Sequence, residues 1–470
     1  MDTLVSAMNM MDLAIPFARI LNIEDIPARI IITLLTNILI SALFTNLIQK
    51  TSINAQHYFN GLIGVIAMYY CFGTQIWHVV IDAILFTALI KTLGGQLSTV
   101  IITWITVLPH LLYGYYHIVM SGIEARTIYW TMPHCVLTLK LLGLSIDLFS
   151  TRQVKSKQNS LEKAPLETEN ISILEVFGFV FFYPTSLVGP QVQFRRYKDF
   201  VDGKLYERDR IKRNIPYGIN RFIAGIVAGL FFSILVPYVP INHLVSKEFA
   251  SSTLLYKLSY TALRHFIALK QYYTVWLFCE AACVFTGVSY KSEDKEGSVD
   301  WSSCAGVKLI PLETAYNTQM VVESFNVTTN EWAMQYVYKR FKFLNNKLLS
   351  QLITLLFISL WHGFYVGYYL CSFWQIPILL LEKIVTPLLL LSKQPKHARY
   401  IAYALGVIYR YHTVSIPFTF FQLLTWERCW AFSSAIQHCL FIEYAIAIPI
   451  FIVLTSMRRK PKKRAENSTD

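Results

Sequence analysis

Charge is scarce in this chain of 470 residues: only 15% of it is Asp, Glu, Lys or Arg, while 54% is hydrophobic. A water-soluble protein of this length needs more charge to cover its surface, so an array of soluble domains is excluded. Acidic residues are the scarcer sign, 29 against 42 basic ones. In so apolar a chain a basic excess fits loops that face anionic lipid better than it fits nucleic acid. Several enzyme signatures are missing as well: no Walker A loop, no GxGxxG, no HExxH and no GxSxG. A His-x4-Asp box is also absent, since His78 and Asp82 stand one residue too close for it. None of the eight cysteines shows zinc-ligand spacing, and Cys279 with Cys283, one helical turn apart, reads as packing. Met1 is followed by no basic n-region and no small-residue cleavage site, so no signal peptide is expected. No internal repeat is visible, which speaks against the inverted halves of secondary transporters.

What the chain has in abundance is apolar runs, and a helix needs about 20 such residues to cross a bilayer. The first convincing run is Ile30 to Leu47, and others lie at 59–72, 77–93, 98–118, 131–149, 216–240, 260–288, 348–372, 374–392, 399–424 and 434–456. Residues 1–28 mix polar and apolar positions and read as an interfacial segment. Ile173 to Pro190 is short and interrupted by Pro184 and Gly189-Pro190, which reads as a bent or re-entrant element. The expected fold is therefore all-α, one polytopic membrane bundle over 1–456, with a basic tail at 457–470.

Two loops punctuate that domain: a polar one at 151–170 and a basic one at 191–214. The second holds eight basic residues, Arg195 and Arg196 among them, against four acidic ones, which makes it cytoplasmic by the positive-inside rule. The tail is cytoplasmic on the same ground, and the six runs between these anchors give the even parity that shared sidedness requires.

Ionisable side chains inside apolar runs are costly and are functional candidates by default. Asp82, Lys140, Asp147, Arg221, Arg264, Lys270, Glu280, Glu382, Arg410 and Glu443 all qualify. Each has a plain reading, pairing or snorkelling to an interface; together they point to a polar cavity in the bundle. His110 and His117 share a helix face without a third ligand nearby in sequence, which favours a core role over a metal site.

His362 lies in FISLWHGFYVGYYL, flanked by Trp361, Gly363, Tyr365 and Gly367. Burial leaves such an imidazole neutral and able to accept a proton from a hydroxyl. Gly363 and Gly367, four apart, would clear one helix face for a ligand or a second helix. A second unusual block, ESFNVTTNEWAMQYVYKRFKF at 323–343, is too polar for a lipid-facing span yet rich in aromatics. From Thr329 its pattern predicts an amphipathic helix carrying Trp332 and Tyr336, with Thr328 or Thr329 as N-cap and Asn326 in the preceding loop.

Four blocks carry a family resemblance: WTMPHCVLTLKLLGLSID at 130–147, FFYPTSLVGPQ at 181–191, SFNVTTNEWAMQYVYKRFKFLNNKLLSQ at 324–351 and LLFISLWHGFYVGYYLC at 355–371. The chain resembles the membrane-bound O-acyltransferase (MBOAT) family, and within it the lysophosphatidylcholine acyltransferase branch. The resemblance implies a bundle of roughly 10–12 transmembrane or re-entrant helices around a reaction tunnel. It implies that His362, in Trp-His-Gly, and Asn326, in Phe-Asn-Val-x-Thr-x-x-Trp, are the catalytic residues. Phe325 stands where many relatives carry tryptophan.

The implied reaction is transfer of an acyl chain from acyl-CoA to the sn-2 hydroxyl of a lysophospholipid, with His362 as general base. Asn326 would either orient a substrate carbonyl or stabilise developing negative charge. Trp332, Tyr336, Trp361 and Tyr365 are candidate substrate contacts. No metal and no cofactor beyond the acyl-CoA co-substrate are expected, nor nucleic acid. Partners are membrane lipids, with a homodimer left open, and the location is the endoplasmic reticulum membrane. Acylation of a sterol, a diacylglycerol or a peptide hydroxyl is the nearest alternative; a transporter or scaffold is the alternative outside enzymes.

Overall fold

The computed structural model describes residues 14–21, 23–124, 127–157, 171–205, 214–389 and 395–458. In chain order the helices are α1 (Ala14–Leu21), α2 (Asp25–Ile48), α3 (Ile53–Phe72), α4 (Trp77–Leu93), α5 (Leu97–Met120), α6 (Thr131–Lys157), α7 (Ile173–Val180), α8 (Phe194–Val201) and α9 (Ile215–Leu235). There follow α10 (Lys247–Ser251), α11 (Leu254–Thr286), a hairpin of β1 (Ser292–Glu293) and β2 (Val299–Asp300), α12 (Leu309–Glu313), α13 (Thr318–Ser324) and α14 (Val327–Tyr336). The chain closes with α15 (Lys347–His362), α16 (Val366–Leu389), α17 (Lys396–Leu423), α18 (Trp426–Ala435) and α19 (Cys439–Arg458).

Among the described residues, five helical stretches are long and apolar enough to cross a bilayer: Asp25–Ile48, Ile53–Leu93, Leu97–Met120, Thr131–Gln153 and Ile215–Tyr238. The runs expected at 59–72 and 77–93 form one of these stretches, joined by a 3-10 turn at Gly73–Ile76. Exposed aliphatic side chains such as Leu39, Leu43, Ile84, Ile105, Val227 and Leu230 cover the outer faces, as lipid-facing helices require.

The chain divides into two compact units. The first comprises Met1–Pro237, Ile267–Leu309 and Glu323–Phe364. One of its cores gathers Leu34, Met68, Phe86, Leu141, Phe179 and Phe194. Another packs Leu139 and Leu142 of α6 against Trp332 and Tyr336 of α14 and Trp361 of α15. The second unit comprises Tyr238–Phe266, Ile310–Val322 and Tyr365–Asp470, and its core is built on Phe249, Trp374, Ile416, Phe420 and Phe432.

Several buried charges finish helix ends. Lys140 donates to the carbonyls of Phe179 (3.1 Å) and Val180 (3.2 Å) and to Thr185 Oγ1 (3.1 Å), closing the C-terminus of α7. In the second unit Lys257 donates to Ala250 O (2.7 Å) and Ala435 O (2.8 Å), the last turns of α10 and α18. Arg410 donates to Ala315 O (3.0 Å) and Glu313 O (3.1 Å) beyond α12. Glu382 has the opposite sign and the opposite end: it accepts from the Thr318 backbone N–H and hydroxyl, both at 2.7 Å, at the start of α13. Cations at C-terminal carbonyls and an anion at N-terminal amides match the helix dipole and satisfy groups a helix leaves unpaired. Contacts to helix-end backbone, rather than pairing of charges with one another, account for these four residues.

Several boundaries differ from the sequence expectation. The apolar pattern of 131–149 continues as helix to Lys157, so Thr151–Lys157 is not loop; the rest of the expected polar loop lies outside the described residues. The basic segment 191–214 contains α8, because Phe194, Tyr197, Phe200 and Val201 recur at helical spacing and are buried. Its residues 206–213 lie outside the described ones, as do residues 1–13 and most of the basic tail, 459–470. The run expected to break near 373 breaks instead at 363–365, where Gly363 adopts φ 126. Gly363 and Gly367 consequently share no helix face.

Candidate functional site

Asn326 and His362 both belong to the first unit, and each sits at a helix terminus. Asn326 occupies the N-cap position of α14, whose first residue, Val327, lies two before the expected start at Thr329, and its backbone is left-handed (φ 51, ψ 45). An asparagine at an N-cap normally accepts from the N–H of the second or third helical residue, which an extended N-cap backbone permits. With positive φ the amide turns away: it makes no cap bond and, among the described residues, no other hydrogen bond. Thr328, expected as a cap, instead accepts from Gln191 N (3.2 Å).

The chain around Asn326 is held by its backbone. Val307 and Phe325 form an antiparallel bridge, Lys308 N donates to Ser324 O (2.9 Å) and Val327 N donates to Gly306 O (3.0 Å). Phe325 also packs edge-on against Trp276 of α11, ring centroids 4.9 Å apart. Asparagine is among the few residues that adopt this left-handed backbone readily, and here the chain is fixed on both sides of it.

α14 and α15 are keyed to α6. Trp332 Nε1 donates to Leu139 O (2.9 Å), Tyr336 OH to Asp147 Oδ2 (2.7 Å) and Trp361 Nε1 to Cys135 O (3.0 Å). Gly143 makes room for this contact, since a Cβ there would lie 2.9 Å from Trp332 Nε1. Burial, followed by the Asp147 carboxylate, raises the Tyr336 phenol above its usual range, so it remains a donor. Trp332 stacks on Phe357, centroids 5.7 Å apart, which joins the helix that follows Asn326 to the helix that carries His362.

His362 is the last residue of α15 rather than an interior one, half-buried, with its ring 4.6 Å from that of Trp361. Tyr115 OH donates to the Trp361 carbonyl (3.0 Å), and its ring lies against Gly363. Gly363 both supplies the φ that stops the helix and leaves room for that ring. Of the four expected substrate contacts, Trp332, Tyr336 and Trp361 are buried with their polar atoms engaged by α6; Tyr365 is half-buried in the second unit.

A cavity of about 300 Å³ opens beside the start of α14. Arg196, Lys291 and Lys308 line it with Gln191, Gln193, Ser302 and Ser303, and with Val327, Thr328 and Trp332 from the site helix; Glu331 is the acidic member. Lys291 Nζ lies 3.1 Å from Asp300 Oδ2, and Arg196 donates to the carbonyls of Val288 (3.1 Å) and Tyr290 (2.7 Å). Lys308 has no ion pair among the described residues. Lys291 and Lys308 were not singled out from sequence. The signal for them was cations in the weakly hydrophobic stretch leading to Asn326.

Sequence reasoning also missed a cluster that joins three helices. Asp82 of α4 holds His110 Nδ1 of α5 at 2.9 Å and His134 Nε2 of α6 at 3.0 Å. The companions that His110 lacked along its own helix, Asp82 and His134, come from two other helices.

Exposed aliphatic faces around a charged interior define a polytopic membrane protein, and within it a cationic cavity adjoins a helix start whose asparagine is left uncapped. The chain belongs to the membrane-bound O-acyltransferase family, whose profile matches residues 111–426, and it is thereby an acyltransferase. It is similar to lysophospholipid acyltransferase 5 of Bos taurus, 29% identical over 433 residues covering 87% of this chain and 86% of that protein. The protein of that name from Drosophila melanogaster is 33% identical over 361 residues, covering 76% of this chain and 71% of its own. The lysophospholipid acyltransferase of Schizosaccharomyces pombe is 28% identical over 249 residues, about half of each chain (51% and 49%).

Proposed function

We propose that the protein transfers a fatty acyl chain from acyl-CoA to the sn-2 hydroxyl of a lysophospholipid, lysophosphatidylcholine first and the ethanolamine and serine analogues next, in the endoplasmic reticulum membrane. One observation carries the donor: the cavity with three cations beside the Asn326 helix, suited to the phosphates of CoA. The similarity to relatives named for lysophospholipid acylation supports the acceptor.

In this reading His362 takes the proton of the acceptor hydroxyl as its oxygen bonds to the thioester carbon. The C–S bond then breaks, and the CoA thiolate leaves and recovers that proton from His362. No acyl-enzyme forms. Asn326 aims its uncapped amide N–H at the carbonyl oxygen, where negative charge develops. Trp332 and Trp361 wall the site.

The test is an acceptor panel. Purified protein is given one acyl-CoA with lysophosphatidylcholine, diacylglycerol or cholesterol, alongside His362→Ala. Rapid acylation of lysophosphatidylcholine alone, abolished in the variant, is expected. Preference for diacylglycerol or cholesterol rejects the acceptor, and a His362→Ala protein at the wild-type rate rejects the base.

A further inference from the structure

We propose that Asp82 is a positioning residue for His362, acting through His110 and His134; the inference rests on the reading of His362 as the base. A carboxylate buried at the level of an apolar span is costly, and helix ends absorb the buried charges of Lys140, Lys257, Glu382 and Arg410. Asp82 is not: it is 3% exposed, and its two oxygens join side chains from two other helices. One residue of α4 thereby fixes α5 and α6 relative to each other.

Those are the two helices that grip Trp361. Tyr115, five residues along α5 from His110, donates to the Trp361 carbonyl (3.0 Å). Cys135, the neighbour of His134 on α6, accepts from the Trp361 indole (3.0 Å). One helix holds the main chain of Trp361 and the other holds its side chain, and the next residue is His362. A slip between α5 and α6 at this level rotates Trp361 and re-aims the imidazole. Displacement of a catalytic group by about 1 Å typically costs on the order of a hundredfold in rate.

The rest of the cluster stiffens it. His78 Nδ1 lies 3.0 Å from His110 Nε2 and its ring stacks on Trp130, centroids 3.7 Å apart. His134 is fully buried, with Thr138 Oγ1 3.3 Å from its Nδ1. The same donors, two imidazoles and a carboxylate, are a metal-ligand set. Their contacts of 2.9 Å and 3.0 Å are hydrogen-bond distances. Donors around a tetrahedral zinc stand roughly 3.3–3.4 Å apart, given bonds of about 2.0–2.1 Å. The geometry therefore favours a clamp of hydrogen bonds.

The experiment compares Asp82→Ala, Asp82→Asn, His362→Ala and the double variant Asp82→Ala/His362→Ala, all as full-length purified protein. Rates are divided by the amount of protein that binds acyl-CoA, so that misfolded molecules do not count. Asp82→Ala is expected to lower kcat about 30- to 100-fold with KM for acyl-CoA unchanged. Asp82→Asn, which can still bridge two rings after a tautomer change, should recover to within about fivefold of wild type. In the His362→Ala background, removing Asp82 should add no further loss, because the group it aims is gone.

An Asp82→Ala protein with wild-type kcat, or a full additional loss in the double variant, overturns the positioning role while leaving His362 in place. Equal damage from Asn and Ala also overturns it, since the bridge would then not be the active feature. A His362→Ala protein at the wild-type rate overturns both this inference and the proposed base.

Discussion

Two asparagines, twenty positions apart in the sequence, open the two helices that carry the candidate site, and they behave oppositely. Asn346, at the N-cap of α15, has an extended-side backbone (φ −124, ψ 104) and accepts from Leu349 N at 3.1 Å. Asn326, at the N-cap of α14, has φ 51 and leaves its amide uncapped. The same residue type in the same nominal position stabilises a helix in one region and is kept from doing so in the other. Local physics explains Asn346 fully. Asparagine tolerates the left-handed backbone, as Asn345 also shows (φ 51), and at Asn326 that backbone leaves the amide uncapped.

That contrast can be attacked from both ends. The largest effect should come from His362, the residue read as the base. His362→Ala should lower kcat by about a thousandfold, within the usual range for loss of a general base, with thermal unfolding little changed. Next comes Asn326→Gly. Glycine adopts φ 51 without strain, so the fold should hold, yet kcat should fall about a hundredfold or more with the lost donor. Asn326→Ala should lose as much activity and also some stability, about 1 kcal/mol, because alanine lacks the short polar side chain that lets asparagine tolerate the left-handed backbone.

Smaller effects should separate the two regions further. Lys308→Glu, in the cavity beside α14, should raise KM for acyl-CoA about tenfold while leaving kcat within about twofold, measurable by initial rates over acyl-CoA concentration. Asn346→Ala should do the reverse of Asn326→Gly: a loss of about 1 kcal/mol in stability, read from thermal unfolding in detergent, with kcat nearly intact. If Asn346→Ala proved as inactive as Asn326→Gly, the distinction between the two caps would collapse.

The membrane class was legible because long apolar runs admit few other readings, and helices such as Leu97–Met120 fall within two residues of the expected 98–118. Asn326 and His362 were legible through motif resemblance, and the structure puts both at helix ends in one unit. The break after His362 was not, since a single glycine in an apolar run reads as a packing feature until its φ is known. Nor was the fate of the buried charges. Lys140 ends α7 across 39 residues, and Arg410 meets Glu313 across 97, separations that no local pattern encodes. The Asp82 cluster was hidden for the same reason: its three members lie on three helices, 28 and 52 residues from Asp82.

The most direct test of the central claim is the acylation rate of purified Asn326→Gly protein with acyl-CoA and lysophosphatidylcholine, measured beside its thermal unfolding. An unfolding temperature at or above wild type and a kcat lower by about a hundredfold or more are expected. An Asn326→Gly protein that unfolds normally and turns over within twofold of wild type would contradict it.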